Sequence, residues 1–278
     1  MIAPILLYGC EIWCPSIQEL ASKLQLRYLK LIMRLNSSTP TCMVLGESGQ
    51  FPIEIQAKTR CLTFWYNMVK NENKSKLSYV LYKVLYANYI ESNGYKSPYL
   101  NFVEKCLNSV GLSGLWASQG DVDKSTKTFK ENVKRTLKDQ FIQEWTADVN
   151  TKDIFYNYRL YKTTFHRENS IVSLPERLLY PVLRFRTLNH RLPVQTGRWN
   201  NIPRDERLCN KCDTGDIGDE FHYVMICPHF IEQRKKHIPA RFWKFPNVIR
   251  FKLLLCTKNK QLLTGLSYMF KAIMNEMT

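Results

Sequence analysis

Cys209, Cys212, His222 and Cys227 follow one another in the order C-x2-C-x9-H-x4-C. Thiolate and imidazole are the donors that zinc takes four at a time, in a tetrahedron. Two cysteines two residues apart can chelate one ion across a tight turn, and a second pair closes the shell from the next element. The outer spacings fit zinc sites. The gap between the pairs is shorter than in a DNA-reading finger and longer than in a retroviral knuckle. The alternative is that nine cysteines in 278 residues produce the array by accident, with the thiols simply buried. His229 and His237 are spare imidazoles that could replace His222. Four protein ligands would make the Zn2+ structural, since a catalytic zinc keeps one position open.

The elements around these residues have to bring them together. DTGDIGDE supplies a chain reversal, with Gly215 and Gly218 free to take positive φ. Asp219 is placed to cap a short helix carrying His222. Pro228 disfavours helical geometry at Cys227, so that helix ends there and another begins at the proline. The preceding stretch, LPERLLYPVLRFRTLNHRLPVQTGRWNNIPRDERLC, holds four prolines and seven arginines. Pro175 and Pro181 predict short helical pieces at most. Arg184, Arg186, His190, Arg191, Arg198, Arg204 and Arg207 lead into the array with Trp199 among them. Guanidinium presents a fixed fork of donors to phosphate, and an exposed indole can stack an unpaired base. The competing reading is a structural arginine network tying loops to helix ends, with Trp199 in the core.

The net charge of +16 favours an anionic partner, nucleic acid before a membrane surface. Residues 170–278 carry 18 basic and 9 acidic groups. An odd number of cysteines in a chain this large does not read as a secreted disulfide framework. Reduced thiols beside a metal site suit an intracellular location, cytoplasm or nucleus. The apolar start, MIAPILLYGCEIW, lacks a basic n-region and meets Glu11 at once, so it reads as a strand or core segment rather than a signal or a span.

Periodicity predicts a mainly α class: a multi-helical bundle or arm, the small zinc module, and a helical tail. A first helix is expected from about Ser16 to Leu35, with Ser16 and Glu19 as a capping box. Its apolar face would be Ile17, Leu20, Leu24, Tyr28, Leu31 and Leu35, beside a basic stripe of Lys23, Arg27, Lys30 and Arg34. That stripe is either an ordinary solvated face or a set of phosphate contacts. Pro52 opens a second helix with Ile53, Ala57, Cys61, Phe64, Trp65 and Met68 inside. Leu77, Val80, Leu81 and Val84 mark a third, ended near Gly94. Pro98 opens a fourth, closed by Gly111. A polar linker around SQGDVDKS precedes a long helix to about Trp145, with Phe129, Val133, Leu137 and Phe141 four residues apart. The divisions read as residues 1–70, a thumb-like helical segment; 71–169, a helical arm; 170–208, the arginine-rich approach; 209–237, the zinc module; and 238–278, a basic helical tail.

Several stretches together resemble one family. LLYGCEIW is similar to the segment that closes the reverse transcriptase domain of non-LTR (LINE-type) retrotransposon polyproteins. TPTCMVLGESGQFPIEIQAKTRCLTFW is similar to the helical region after it. FRTLNHRLPVQTGRWNNIPRDERLCNKC and DEFHYVMICPHF resemble the family's C-terminal cysteine–histidine module and its approach. The resemblance implies that Cys209, Cys212, His222 and Cys227 bind zinc, and that the arginines before them grip element RNA or target DNA. Full-length relatives join an endonuclease to an RNA-directed DNA polymerase. Polymerase chemistry needs clustered carboxylates for two metal ions, and no Asp-Asp pair occurs in this chain. The resemblance therefore places the chain after the catalytic palm, as a non-enzymatic, nucleic-acid-binding C-terminal part.

No G-x-S-x-G elbow, Walker A sequence or dinucleotide fingerprint is present, and nothing points to a small-molecule substrate. The leading expectation is RNA or DNA binding on an arginine surface ordered by zinc. The alternative is a zinc-stabilised structural or protein-interaction module.

Overall fold

The computed structural model describes residues 3–70, 75–91, 97–119 and 125–277, with the backbone alone at residues 17 and 18. NENK at 71–74, Gly94 and the heart of the SQGDVDKS linker lie outside the described residues. The fold is mainly α-helical, as the periodicity implied. Among the described residues the nearest thing to a strand is one antiparallel bridge, Leu208 to Ile217. Contacts divide the chain into two units. One holds Met1–Gln25 and Phe51–Gln143; the other holds Leu26–Gln50 and Glu144–Thr278.

The first unit packs the helices Ile53–Val69, Leu77–Glu91 and Pro98–Ser109 around a shared apolar core. Ser97 caps the last of these, its hydroxyl accepting from Leu100 N–H. Pro98 sits at the first helical position, where a missing N–H costs nothing. Tyr66 stacks on Phe129 at 4.2 Å, and the Trp65 indole donates to the Tyr82 hydroxyl at 3.0 Å. Phe129, Val133 and Leu137 of the Thr126–Thr151 helix are buried there as their spacing predicted.

Several sequence expectations need correction. The N-terminus is a short helix, Ala3–Leu6, followed by Cys10–Ile32, rather than a strand, but it is a core segment, with Leu7, Cys10 and Cys14 buried. Ser16 therefore lies inside the second helix and forms no capping box. Cys10, Cys14, Ala21 and Leu29 are buried on that helix, while Leu20, Leu24 and Leu31 are 54%, 44% and 74% exposed. This helix is apolar on more than one face, so periodicity alone did not choose the buried one. The same holds for Leu77–Glu91, where Tyr82 and Tyr89 are buried and Leu77, Val80, Leu81 and Val84 are exposed.

In the second unit the helix Glu176–Arg186 lies against the tail helix Lys260–Glu276, with Phe185 and Phe270 stacked at 4.0 Å. Pro181 sits within that eleven-residue helix rather than breaking it. It forfeits one backbone donor, and burial of Val182, Leu183 and Phe185 compensates. The helix Thr41–Ser48 is buried over Met43–Ser48. A side chain at Gly46 would stand 2.8 Å from the Tyr158 hydroxyl and 2.9 Å from Trp145, so only glycine allows that approach.

Candidate metal centre and basic groove

The expected chain reversal places Cys209 and Cys212 on one side and His222 and Cys227 on the other. Gly215 takes φ +71, as its position required. Gly218 serves differently. A Cβ there would lie 2.8 Å from Pro193 and 3.1 Å from Cys209 Cα, so this glycine permits close packing rather than a left-handed turn. Cys209 N–H donates to Asp216 O at 2.9 Å, closing the reversal. The Asp219 carboxylate accepts from His222 N–H at 3.0 Å, which is the expected cap. His222–Ile226 then forms a π turn, and Cys227 N–H donates to His222 O at 2.8 Å. The wide i→i+5 turn stacks Cys227 over His222, which an ordinary α turn would leave on different faces. Cys227 itself has φ −45 and ψ 118, outside the helix as Pro228 dictates.

The four donor atoms lie within 4.8 Å of one another. Cys209 Sγ is 3.9 Å from Cys227 Sγ, and Cys212 Sγ is 3.3 Å from His222 Nε2. Sulfurs bound tetrahedrally at about 2.3 Å sit about 3.8 Å apart, so the spacing suits a single small cation. Among the described residues this is the one Cys/His cluster able to hold a metal ion, and neither His229 nor His237 belongs to it. His229 lies 3.6 Å from Glu276, and His237 stacks on Tyr268. Around the donors, Lys211 N–H points at Cys209 Sγ at 3.4 Å, and Thr214 Oγ1 is 3.3 Å from Cys212 Sγ. Asp216 Oδ2 is 3.4 Å from His222 Nδ1, leaving Nε2 toward the sulfurs. Burial lowers the His222 pKa and favours the neutral imidazole that a metal needs. Burial also opposes ionisation at Cys212, but hydrogen bonds from Thr214 outweigh it and lower that thiol. At Cys227 burial prevails and pushes the thiol up to about 12. Comparison with models of protein families, with curated proteins and with solved structures finds no match.

The module is tied to the arginine segment before it. Gly218 N–H donates to Arg207 O at 2.8 Å, and Val194 N–H donates to Gly218 O at 3.1 Å. Arg207 in turn donates to Ile202 O and Val194 O. Arg204 pairs with Asp219 at 2.7 Å and stacks on Tyr156. Buried His190 pairs with buried Glu220 at 3.0 Å, and Asn157 donates to the same carboxylate. Burial opposes the Glu220 charge, but His190 and Asn157 hold its pKa below the ordinary value. The acidic cluster Asp216, Asp219 and Glu220 therefore orients one histidine, caps another turn and anchors the Arg204 and His190 segments.

These contacts correct part of the predicted interface. Arg186 is 2% exposed. Its guanidinium makes a two-pronged pair with Glu47 at 2.8 and 3.0 Å and reaches Glu168 at 3.2 Å, while Lys162 also pairs with Glu168. Burial works against Glu168 as well, yet Arg186 and Lys162 hold its pKa below the usual carboxylate value. Arg186 is thus structural, Arg204 and Arg207 are held by protein partners, and His190, its ring buried against Glu220, still lines the groove formed by the remaining arginines. Lys23 and Arg27 are exposed and lie outside the lining of the groove described next, and Lys30 donates to Ser37 O.

The remaining arginines converge. A groove of about 690 Å³ is lined by Arg34, Arg177, Arg184, Arg191, Arg198 and Lys271, and among the described residues no carboxylate lines it. Trp199, 57% exposed, stands on its wall. Arg34 lies over the Tyr180 ring at 4.2 Å. Asn189 shapes one edge, its side-chain oxygen accepting from Asn36 N–H and the Thr39 hydroxyl. Nothing in the sequence singles out Arg177 or Lys271. Arg177 stood among the seven arginines, and Lys271 belongs to a tail with ten basic and two acidic residues from 228 onward. Only the pairing of the Glu176–Arg186 and Lys260–Glu276 helices puts them side by side.

Proposed function

We propose that this chain binds nucleic acid along the basic groove, and that a zinc ion held by Cys209, Cys212, His222 and Cys227 orders the segment that lines it. The role is that of the C-terminal region which the sequence resembles in non-LTR retrotransposon reverse transcriptases. It grips element RNA or target DNA without a catalytic centre of its own. One observation carries the reading: six cationic residues line one groove that no carboxylate among the described residues lines, beside an exposed tryptophan. A surface that served only solubility would mix its signs. Zinc is the ion favoured by three thiolates and one imidazole in a closed tetrahedral set.

The exposed Leu20 and Leu24, one turn apart, favour a second reading, a zinc-stabilised protein-interaction module. One experiment separates the two. Anisotropy titrations of labelled RNA and DNA across a salt series should give steep salt dependence, because phosphate contacts release counterions. The triple variant Arg177→Ala, Arg184→Ala, Arg191→Ala should bind more weakly and flatten the slope of log K against log salt by roughly 2 to 3. An unchanged slope rejects this surface. A parent protein that binds neither polymer at low salt leaves the interaction-module reading in its place.

A further inference from the structure

Beside the groove lies a second cavity of about 540 Å³, and it is chemically different. The two share Ile154, Leu188 and Arg198 in their walls. Its charged groups are mostly engaged already: Arg204 with Asp219, Arg207 with backbone carbonyls, Glu220 with His190 and Asn157. Asp153 and Glu220 both line it, which disfavours a phosphate there. Apart from the Glu220–His190 pair, two buried side-chain atoms on its lining residues have no hydrogen-bond partner. Gln195 is 4% exposed, and its carboxamide oxygen accepts no hydrogen bond. Arg198 Nε is buried and donates to nothing. Both residues stand on the Pro193–Trp199 helix, three apart and so on one face, and both line this cavity. A buried carboxamide left unpaired is costly, and most buried polar side-chain atoms in proteins find a partner. Leu188, Ile154 and Val194 supply apolar wall. Apolar walls with one acceptor and one donor side by side match a flat heterocycle that carries a donor next to an acceptor. Every nucleobase has such an edge, and a sugar–phosphate chain without bases has none. The volume is within the roughly 300–1,000 Å³ typical of small-ligand sites.

We propose that this cavity receives one unstacked base of a single strand whose phosphates lie in the basic groove, with Gln195 accepting from the base edge and Arg198 Nε donating to it. Arg198, common to both walls, marks where the strand turns its base inward, and Trp199 on the next residue offers a stacking face to a neighbouring base. The inference rests on the groove reading and narrows it to single-stranded RNA or DNA.

The test is a two-by-two cycle of anisotropy titrations at one low salt concentration. The protein is the parent or Gln195→Leu, and the strand is labelled oligothymidine or an oligomer of equal length built from abasic sugar–phosphate. Leucine fills similar space and removes a polar group that has no partner in the protein, so the fold should survive. Gln195→Met is the substitute if the leucine variant melts lower than the parent. The parent should bind the base-bearing strand at least about tenfold more tightly than the abasic one, and more tightly than a blunt duplex. Gln195→Leu should lose about tenfold on the base-bearing strand and stay within about twofold of the parent on the abasic strand. Equal loss on both strands would make Gln195 a structural residue and overturn the base pocket. So would no loss on either strand, or a parent that treats the two alike, while tight salt-dependent binding of both leaves the groove reading standing. A parent that binds neither strand sinks the groove and the pocket together.

Discussion

Arg184 and Arg186 are two residues apart on one helix and have opposite roles. Arg184 is exposed on the groove, whereas Arg186 is buried between Glu47 and Glu168. Breaking a buried ion pair leaves an uncompensated charge, at a cost of about 3–5 kcal/mol. Arg186→Ala should therefore lower chemical-denaturation stability by about that much, because buried Glu47 loses its partner and Glu168 is left with Lys162 alone. Arg184→Ala should change stability by less than about 0.5 kcal/mol, as exposed substitutions do, and should weaken nucleic-acid binding. If the stabilities of the two variants are indistinguishable, the burial assigned to Arg186 is wrong. The contrast also marks what the sequence could tell at this scale. Residue type signalled that the arginines matter, but Glu47 lies 139 positions from Arg186, and no local spacing announces that pairing. The four clustered Cys and His residues were legible because chelation calls for short spacings that the sequence itself displays.

At the scale of elements, the breakers and caps were read more reliably than the buried faces. Pro98, Asp219, Gly215 and Pro228 act where local backbone chemistry alone decides, so their positions carried over. The faces of Cys10–Ile32 and Leu77–Glu91 did not, because each helix offers apolar residues on more than one side and only the packed core selects among them. The π turn at His222–Ile226 was not foreseen. H-x4-C fits an i→i+5 turn, but nothing in the residues themselves names one before the ligands are brought together. A sharper dependence on packing concerns Gly265 in the tail helix, where a Cβ would lie 2.2 Å from the carbonyl oxygen of His237. Backbone cannot move aside as a flexible side chain can. Gly265→Ala should therefore destabilise the protein by about 1–3 kcal/mol, despite alanine's better helix propensity. Gly114→Ala is the control, since its Cβ would meet nothing within 4 Å. That variant should be neutral or up to about 1 kcal/mol more stable. Urea denaturation of the two proteins decides the matter, and a stabilised Gly265→Ala would refute the close helix approach.

At the scale of the whole molecule, a metal ion in the Cys/His cluster would matter through what its four donors hold. Cys209 and His222 belong to the loop that bonds Arg207 and Val194 through Gly218 and pairs His190 through Glu220. Arg234, buried, donates to the carbonyls of Tyr223, Ile226 and Cys227, and so ties the helix Ile231–His237 to the same turn. The loop between the cysteine pair and His222 has few apolar side chains, and the bonds it makes to Arg207, Val194 and His190 run through residues that the four donors flank. The core of the first unit is built from its own residues, and none of them is a metal donor. In such sites metal-binding free energy is folding free energy. Purified protein should carry one zinc per chain. Stripping it with a chelator should speed amide exchange across residues 193–237, while the helices Ile53–Val69 and Pro98–Ser109 keep their protection. Binding to single strands should fall at least about tenfold in the same sample, because Arg198 and Trp199 lose the support of the loop behind them. Restoring zinc should recover both protection and affinity. Exchange that is unchanged on complete removal of the metal would mean that the fold, and not the ion, organises the groove. Exchange that rises without loss of binding would separate the metal centre from the nucleic-acid surface and leave it a local clasp.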